Sequence, residues 1–104
     1  MSRMKHYQER VEDFMDEHDM DGTPAFAVID LMAEAGEIAS DAAKSSDYGI
    51  SEEEMEIKQD EFGDVMFSLI VLANRMEVDL EVAFEEAIEK YESRIEGEGD
   101  AGSK

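Results

Sequence analysis

The nine residues from Val65 to Ala73, VMFSLIVLA, carry no charge in a chain where 37% of residues are Asp, Glu, Lys or Arg. A helix here has no polar face, so one neighbouring element cannot cover it. The run is far short of the roughly 20 residues that span a bilayer, which places it in a protein core. Either several elements of one chain surround it, or copies of the chain share it.

Apolar residues elsewhere recur at helical spacing, and no stretch alternates long enough to suggest a strand. The spacing predicts an all-α fold of four helices. The first runs from Arg3 to His18, with Tyr7, Val11, Phe14 and Met15 on one face, and Asp19 to Gly22 end it. Thr23 as N-cap and Pro24 at the first helical position open the second, Pro24 to Lys44. It is expected to bury Phe26, Ile29, Met32, Gly36 and Ala39, with Ser45 to Gly49 as the turn. Ser51 followed by Glu54 reads as a capping box opening a third helix that continues to Met76. Asp79 caps a fourth, Leu80 to Ile95, with Val82, Ala83, Ala87, Ile88 and Tyr91 inward. Met15, Met32, Met55, Met66 and Met76 fall on or beside these faces and read as packing. The domain spans residues 1–96, and the polar, Gly-rich segment 97–104 is expected to be a disordered tail. A third helix of about 26 residues would be about 39 Å long, against a diameter of about 33 Å for a compact chain of this size. A helix that overhangs its domain and is apolar all round implies a bundle completed by homo-oligomerisation, as a homodimer or homotetramer.

Charge excludes some partners. Nine Lys and Arg against 29 Asp and Glu give −20. That opposes the phosphate backbone, so no nucleic-acid partner is expected. The acids are spread from Glu9 to Asp100, the pattern of a surface kept soluble in high salt, and they point to a halophilic source. The first twenty residues contain no apolar leader segment, and no membrane association is expected. With no Cys there is no disulfide or thiolate site, and a cytoplasmic location follows.

Two acid pairs stand out. Glu34 and Glu37 lie one turn apart on the second helix; Glu61 and Asp64 repeat the spacing just before the apolar run. Each pair has a glycine before its second acid, Gly36 and Gly63, and close helix approach is the simplest reason for glycine inside a helix. Packing there would face four carboxylates together, an arrangement that calls for cations. Oxygen donors without Cys or nearby His suit Mg²⁺, or Mn²⁺. The same spacing occurs in Glu9 with Glu12 and Asp13 with Asp16, where a solvated face suffices. Glu17, Asp19, Asp21 and Gly22 imitate a calcium loop, but Pro24 and Val28 break its pattern.

Taken with these pairs, the segments LMAEAGEIA and QDEFGDVMFSLIVLANRMEVDLEVAFEEAIEKYESR, lying between Leu31 and Arg94, resemble the MazG-type nucleoside triphosphate pyrophosphohydrolases of the all-α NTP pyrophosphatase superfamily. Ala33 departs from the many relatives that carry a further Glu there. The resemblance implies a MazG-like four-helix bundle and Mg²⁺-dependent hydrolysis between the α- and β-phosphates, in nucleotide-pool house-cleaning. Carried over, Glu34, Glu37, Glu61 and Asp64 hold the metal, with Glu37 or Glu34 as general base. Lys90 and Arg94 contact the triphosphate, and Lys58 and Asp30 are further substrate-binding candidates. Sister branches act on dUTP or phosphoribosyl-ATP. From another class, a non-catalytic acidic helical adaptor would need the carboxylates only as a solvated face.

The charge yields a direct expectation. The chain should lose helicity in dilute buffer and regain it in molar KCl, as screening relieves its self-repulsion. Circular dichroism across a KCl titration checks this, and full helicity without salt would overturn it.

Overall fold

The computed structural model describes residues 2–98, which form four α-helices and one 3-10 turn, with no strand among them. Helix α1 spans Arg3–Glu17 and is capped by Ser2, whose hydroxyl accepts the Lys5 N–H at 3.0 Å. Helix α2, Pro24–Ser45, starts where Thr23 Oγ1 accepts the Phe26 N–H at 3.1 Å. Both caps satisfy amides that the first turn leaves without helical partners. These starts and the fold class agree with the sequence reading.

Helix α3 does not. It spans Gln59–Arg75, and its predicted first turn at Ser51 is instead a 3-10 turn, Glu52–Glu54, followed by extended chain to Lys58. The capping box is Lys58 with Glu61: the Lys58 N–H donates to Glu61 Oε2 at 3.2 Å. The Ser51 N–H turns back to the Ser46 carbonyl at 2.8 Å, and the Glu56 N–H to Ser45 Oγ at 2.7 Å. A physical reason is the acidic run at 52–54 and 56, which would stack like charges at i, i+3 and i, i+4 on a helix. Starting at Gln59 and not at Ser51, α3 has a length of only about 26 Å. It therefore does not overhang the domain, whose longest extent is 44 Å.

Helix α4, Leu80–Glu98, opens where Asp79 Oδ1 accepts the Glu81 and Val82 N–H groups. It runs past the predicted end at Ile95, so the expected tail is helical through Glu98; the remainder, 99–104, lies outside the described residues.

The most extensive packing is α2 on α3, then α1 on α3, with α4 resting on α1. Val11, Ala27, Ile70 and Val71 form the core, flanked by Tyr7, Met15, Phe67, Leu72 and Leu80. A polar clamp sets the α1 end of this arrangement. Gln8 Nε2 donates to Asn74 Oδ1 at 3.0 Å and to the Val78 carbonyl at 2.9 Å, while Gln8 Oε1 accepts the Leu80 N–H at 3.0 Å. Asn74 Nδ2 returns a bond to the Gln8 carbonyl at 2.9 Å.

Much of the predicted core lies open in the single chain. Phe26, Ile29 and Met32 are 61%, 62% and 60% exposed, and Phe14, Gly36, Ala39, Val82, Ile88, Met55, Met66 and Met76 are also on the surface. A Cβ built at Gly36 or Gly63 meets nothing within 4 Å, so the expected close helix approach at these glycines is absent within one chain. The radius of gyration is 16.7 Å. A compact chain this long would have roughly 13 Å.

Because Gln8 joins three segments at one point, Gln8→Ala should destabilise the fold by about 2 kcal/mol. Urea unfolding in molar KCl measures this, and an unchanged midpoint would show that water replaces the clamp.

Candidate metal centre

Helix α2 carries Asp30, Glu34, Glu37 and Asp41 at i, i+4, i+7 and i+11, which sets four carboxylates along one face. Helix α3 presents Glu61 and Asp64 from its first two turns. The α2–α3 packing brings the two sets together. The Glu34 carboxyl is held above its ordinary range, first by a hydrogen bond with Glu37, then by desolvation and by the charges of Glu37, Asp64 and Asp30. Glu61 is raised by a hydrogen bond with Asp41, by desolvation and by the charges of Asp41 and Glu37, against the lowering effect of the Lys58 N–H. Each acid thus senses the other helix, and the four motif carboxylates form one electrostatic unit.

Asp41 is the member that the sequence reading did not single out. Its signal was the extension of the Glu34, Glu37 stripe by one more turn.

The donor chemistry fits a hard divalent cation: every side chain in the unit offers oxygen, and none offers sulfur or imidazole. Among the described residues no three such groups are drawn close enough to hold an ion as they stand.

The basic candidates are distributed differently. Lys58 is the N-cap of α3, and its backbone is bonded to Glu61. Lys90, on α4, lies over the Tyr91 ring, 5.1 Å from its centroid. Arg94 is half-buried on the same helix. Helix α4 packs against α1, and neither Lys90 nor Arg94 is among the groups acting on Glu34 or Glu61. Within one chain the acids are carried on α2 and α3, whereas Lys90 and Arg94 are carried on α4.

A groove of about 400 Å³ runs between α1 and α3, lined by Tyr7, Phe14, Gly63, Met66, Phe67 and Ile70. With about 100° of rotation per residue, the α3 residues of that groove lie on the side of the helix turned away from Glu61 and Asp64. It is separate from the acids.

The model of the MazG nucleotide pyrophosphohydrolase domain matches residues 23–97, which takes in both acid pairs and all of α2, α3 and most of α4. The chain belongs to the MazG family. A curated relative, the gene 37 protein of Mycobacterium phage L5, is 34% identical over 84 residues, covering 73% of this chain and 74% of the phage protein. No solved structure matches. Membership in MazG, a family of nucleotide pyrophosphohydrolases, accords with the all-α fold, and no helix among the described residues is long and apolar enough to cross a membrane.

The upward shifts at Glu34 and Glu61 set a pH dependence. A carboxyl raised in the folded state contributes stability below its ordinary value of 4.5 and loses it as pH climbs through the folded value. At neutral pH the acid unit therefore works against the fold. In metal-free buffer Glu34→Gln should melt above the parent at about pH 7, with the gap narrowing toward about pH 5. Thermal unfolding of both proteins across that range measures it; a constant gap would contradict this coupling.

Proposed function

We propose that this MazG-family chain hydrolyses nucleoside triphosphates, of ribose or deoxyribose, to the monophosphate and pyrophosphate, with Mg²⁺ as cofactor. The observation that carries the reading is the gathering of Glu34, Glu37, Glu61 and Asp64 from two helices into one all-oxygen unit, within the segment that matches the family. These four would hold the ion, which supplies positive charge to the phosphate oxygens and acidifies water. Glu34 and Glu37 share a hydrogen bond that can keep a proton between them, which suits one of the pair to take the proton of the attacking water. Asp30, one turn before Glu34, and Lys58, three residues before Glu61, would meet sugar or phosphate. The role is house-cleaning of the nucleotide pool, in a salt-rich cytoplasm.

The same reading includes a homodimer or homotetramer. The chain exposes 7995 Å² of surface, rich in large apolar side chains. A compact folded monomer of its mass would expose roughly 5900 Å². An apolar excess of this kind marks a face that another molecule covers. Lys90 and Arg94, carried on α4, are the cations that would contact the triphosphate.

The test is pyrophosphate release from a panel of NTPs and dNTPs in molar KCl, with and without Mg²⁺, alongside sedimentation of the active species. Release should require the metal. Glu37→Gln and Glu61→Gln should each lose at least about a hundredfold in kcat while remaining helical. Parental rates in both variants would refute the carboxylate site, and silence across the panel on folded protein would refute the activity.

A further inference from the structure

The connection from α2 to α3 ends the helix on left-handed backbone that includes an aromatic residue. Asp47, Tyr48 and Gly49 take left-handed backbone in succession, with φ of 52°, 56° and 93°. Gly49 adopts this freely, whereas a tyrosine there is strained.

The turn is nevertheless firmly held. Ser46, 4% exposed, donates its hydroxyl to the Ala42 carbonyl and accepts the Gly49 N–H at 2.9 Å. Its carbonyl accepts the Ser51 N–H at 2.8 Å, and the Tyr48 N–H donates to the Ala43 carbonyl. This anchored turn displays apolar surface: Tyr48 is 77% and Ile50 80% exposed, the highest values for large hydrophobic side chains among the described residues.

Its position relates it to the acids. The bond to Ala43 sets the Tyr48 backbone level with the last turns of α2. Ala43 lies six residues, or about 9 Å, along the axis from Glu37, and a donor to its carbonyl sits about 5 Å further on, so the Tyr48 backbone is roughly 14 Å along the axis from Glu37. A span of that order takes in a phosphate held at the acids with its sugar and base.

We propose that Tyr48 is the platform on which the base of the triphosphate stacks, with Ile50 extending the apolar contact. The inference rests on the pyrophosphohydrolase reading above. A strained but rigid turn spares the ring an ordering penalty on binding, and stacking on an aromatic face discriminates little among bases. The enzyme should therefore accept several bases with similar KM.

Steady-state kinetics on the full chain with dATP, dCTP and dTTP, in molar KCl and Mg²⁺, test the assignment. Tyr48→Ala should raise KM about tenfold with a smaller change in kcat, and Tyr48→Phe should recover KM to within about twofold. Inhibition by pyrophosphate, which has no base, should be the same in all three proteins. The chain has no Trp, so tyrosine emission can be read directly, and a non-hydrolysable α,β-imido nucleotide should quench it in the parent more than in Tyr48→Phe. An active parent whose KM survives Tyr48→Ala would overturn the stacking alone. A changed sedimentation coefficient in Tyr48→Ala would place the ring between copies and overturn it as well. A parent inactive on every triphosphate would remove the reading beneath it.

Discussion

Ala27, 1% exposed, seats α2 on Ile70 and Val71 of α3, and that contact fixes how near the two acid-bearing helices come. A small side chain at the contact lets the helix axes approach, and the apolar run of α3 supplies the attraction that holds them. The carboxylates lie beside this contact. Hydrophobic packing thus holds together groups that would otherwise separate, and the raised pKa values of Glu34 and Glu61 record that opposition. The arrangement is not a device for stability, because acids gathered near one another weaken the fold.

The single chain is also incompletely covered. Its core is a handful of small and medium residues, whereas Phe26, Ile29, Met32 and the outer side chains of α3 and α4 face outward. A sequence pattern reports which residues evolved to be buried somewhere, and it does not say by what. Helical periodicity thus identified α2 and expected Phe26, Ile29 and Met32 to be buried, whereas in the single chain they lie open.

Local chemistry was legible where the cap was local. Thr23 with Pro24, and Asp79, each announce a helix start by side-chain type, and each does so in the structure. The start of α3 was not legible, because Ser51 and Glu54 satisfy the same capping pattern yet close only a 3-10 turn. Among the site residues, the motif spacing identified Glu34, Glu37, Glu61 and Asp64, which the fold does gather. Asp41 extends the Glu34, Glu37 stripe by one turn, but its meeting with Glu61 depends on the register of two helices, which the spacing does not show. Nor could it show that α4 packs on α1.

Glu61 has two duties in this fold: it belongs to the acid unit, and its side chain closes the capping box that starts α3. A lineage that abandoned the chemistry would still be pressed to keep a hydrogen-bond acceptor at that position, since without one the helix start loosens. Persistence of an acid at 61 is therefore a poor record of selection for catalysis. Glu34 and Asp64 close no helix start among the described residues, so substitution at those two positions carries no such penalty.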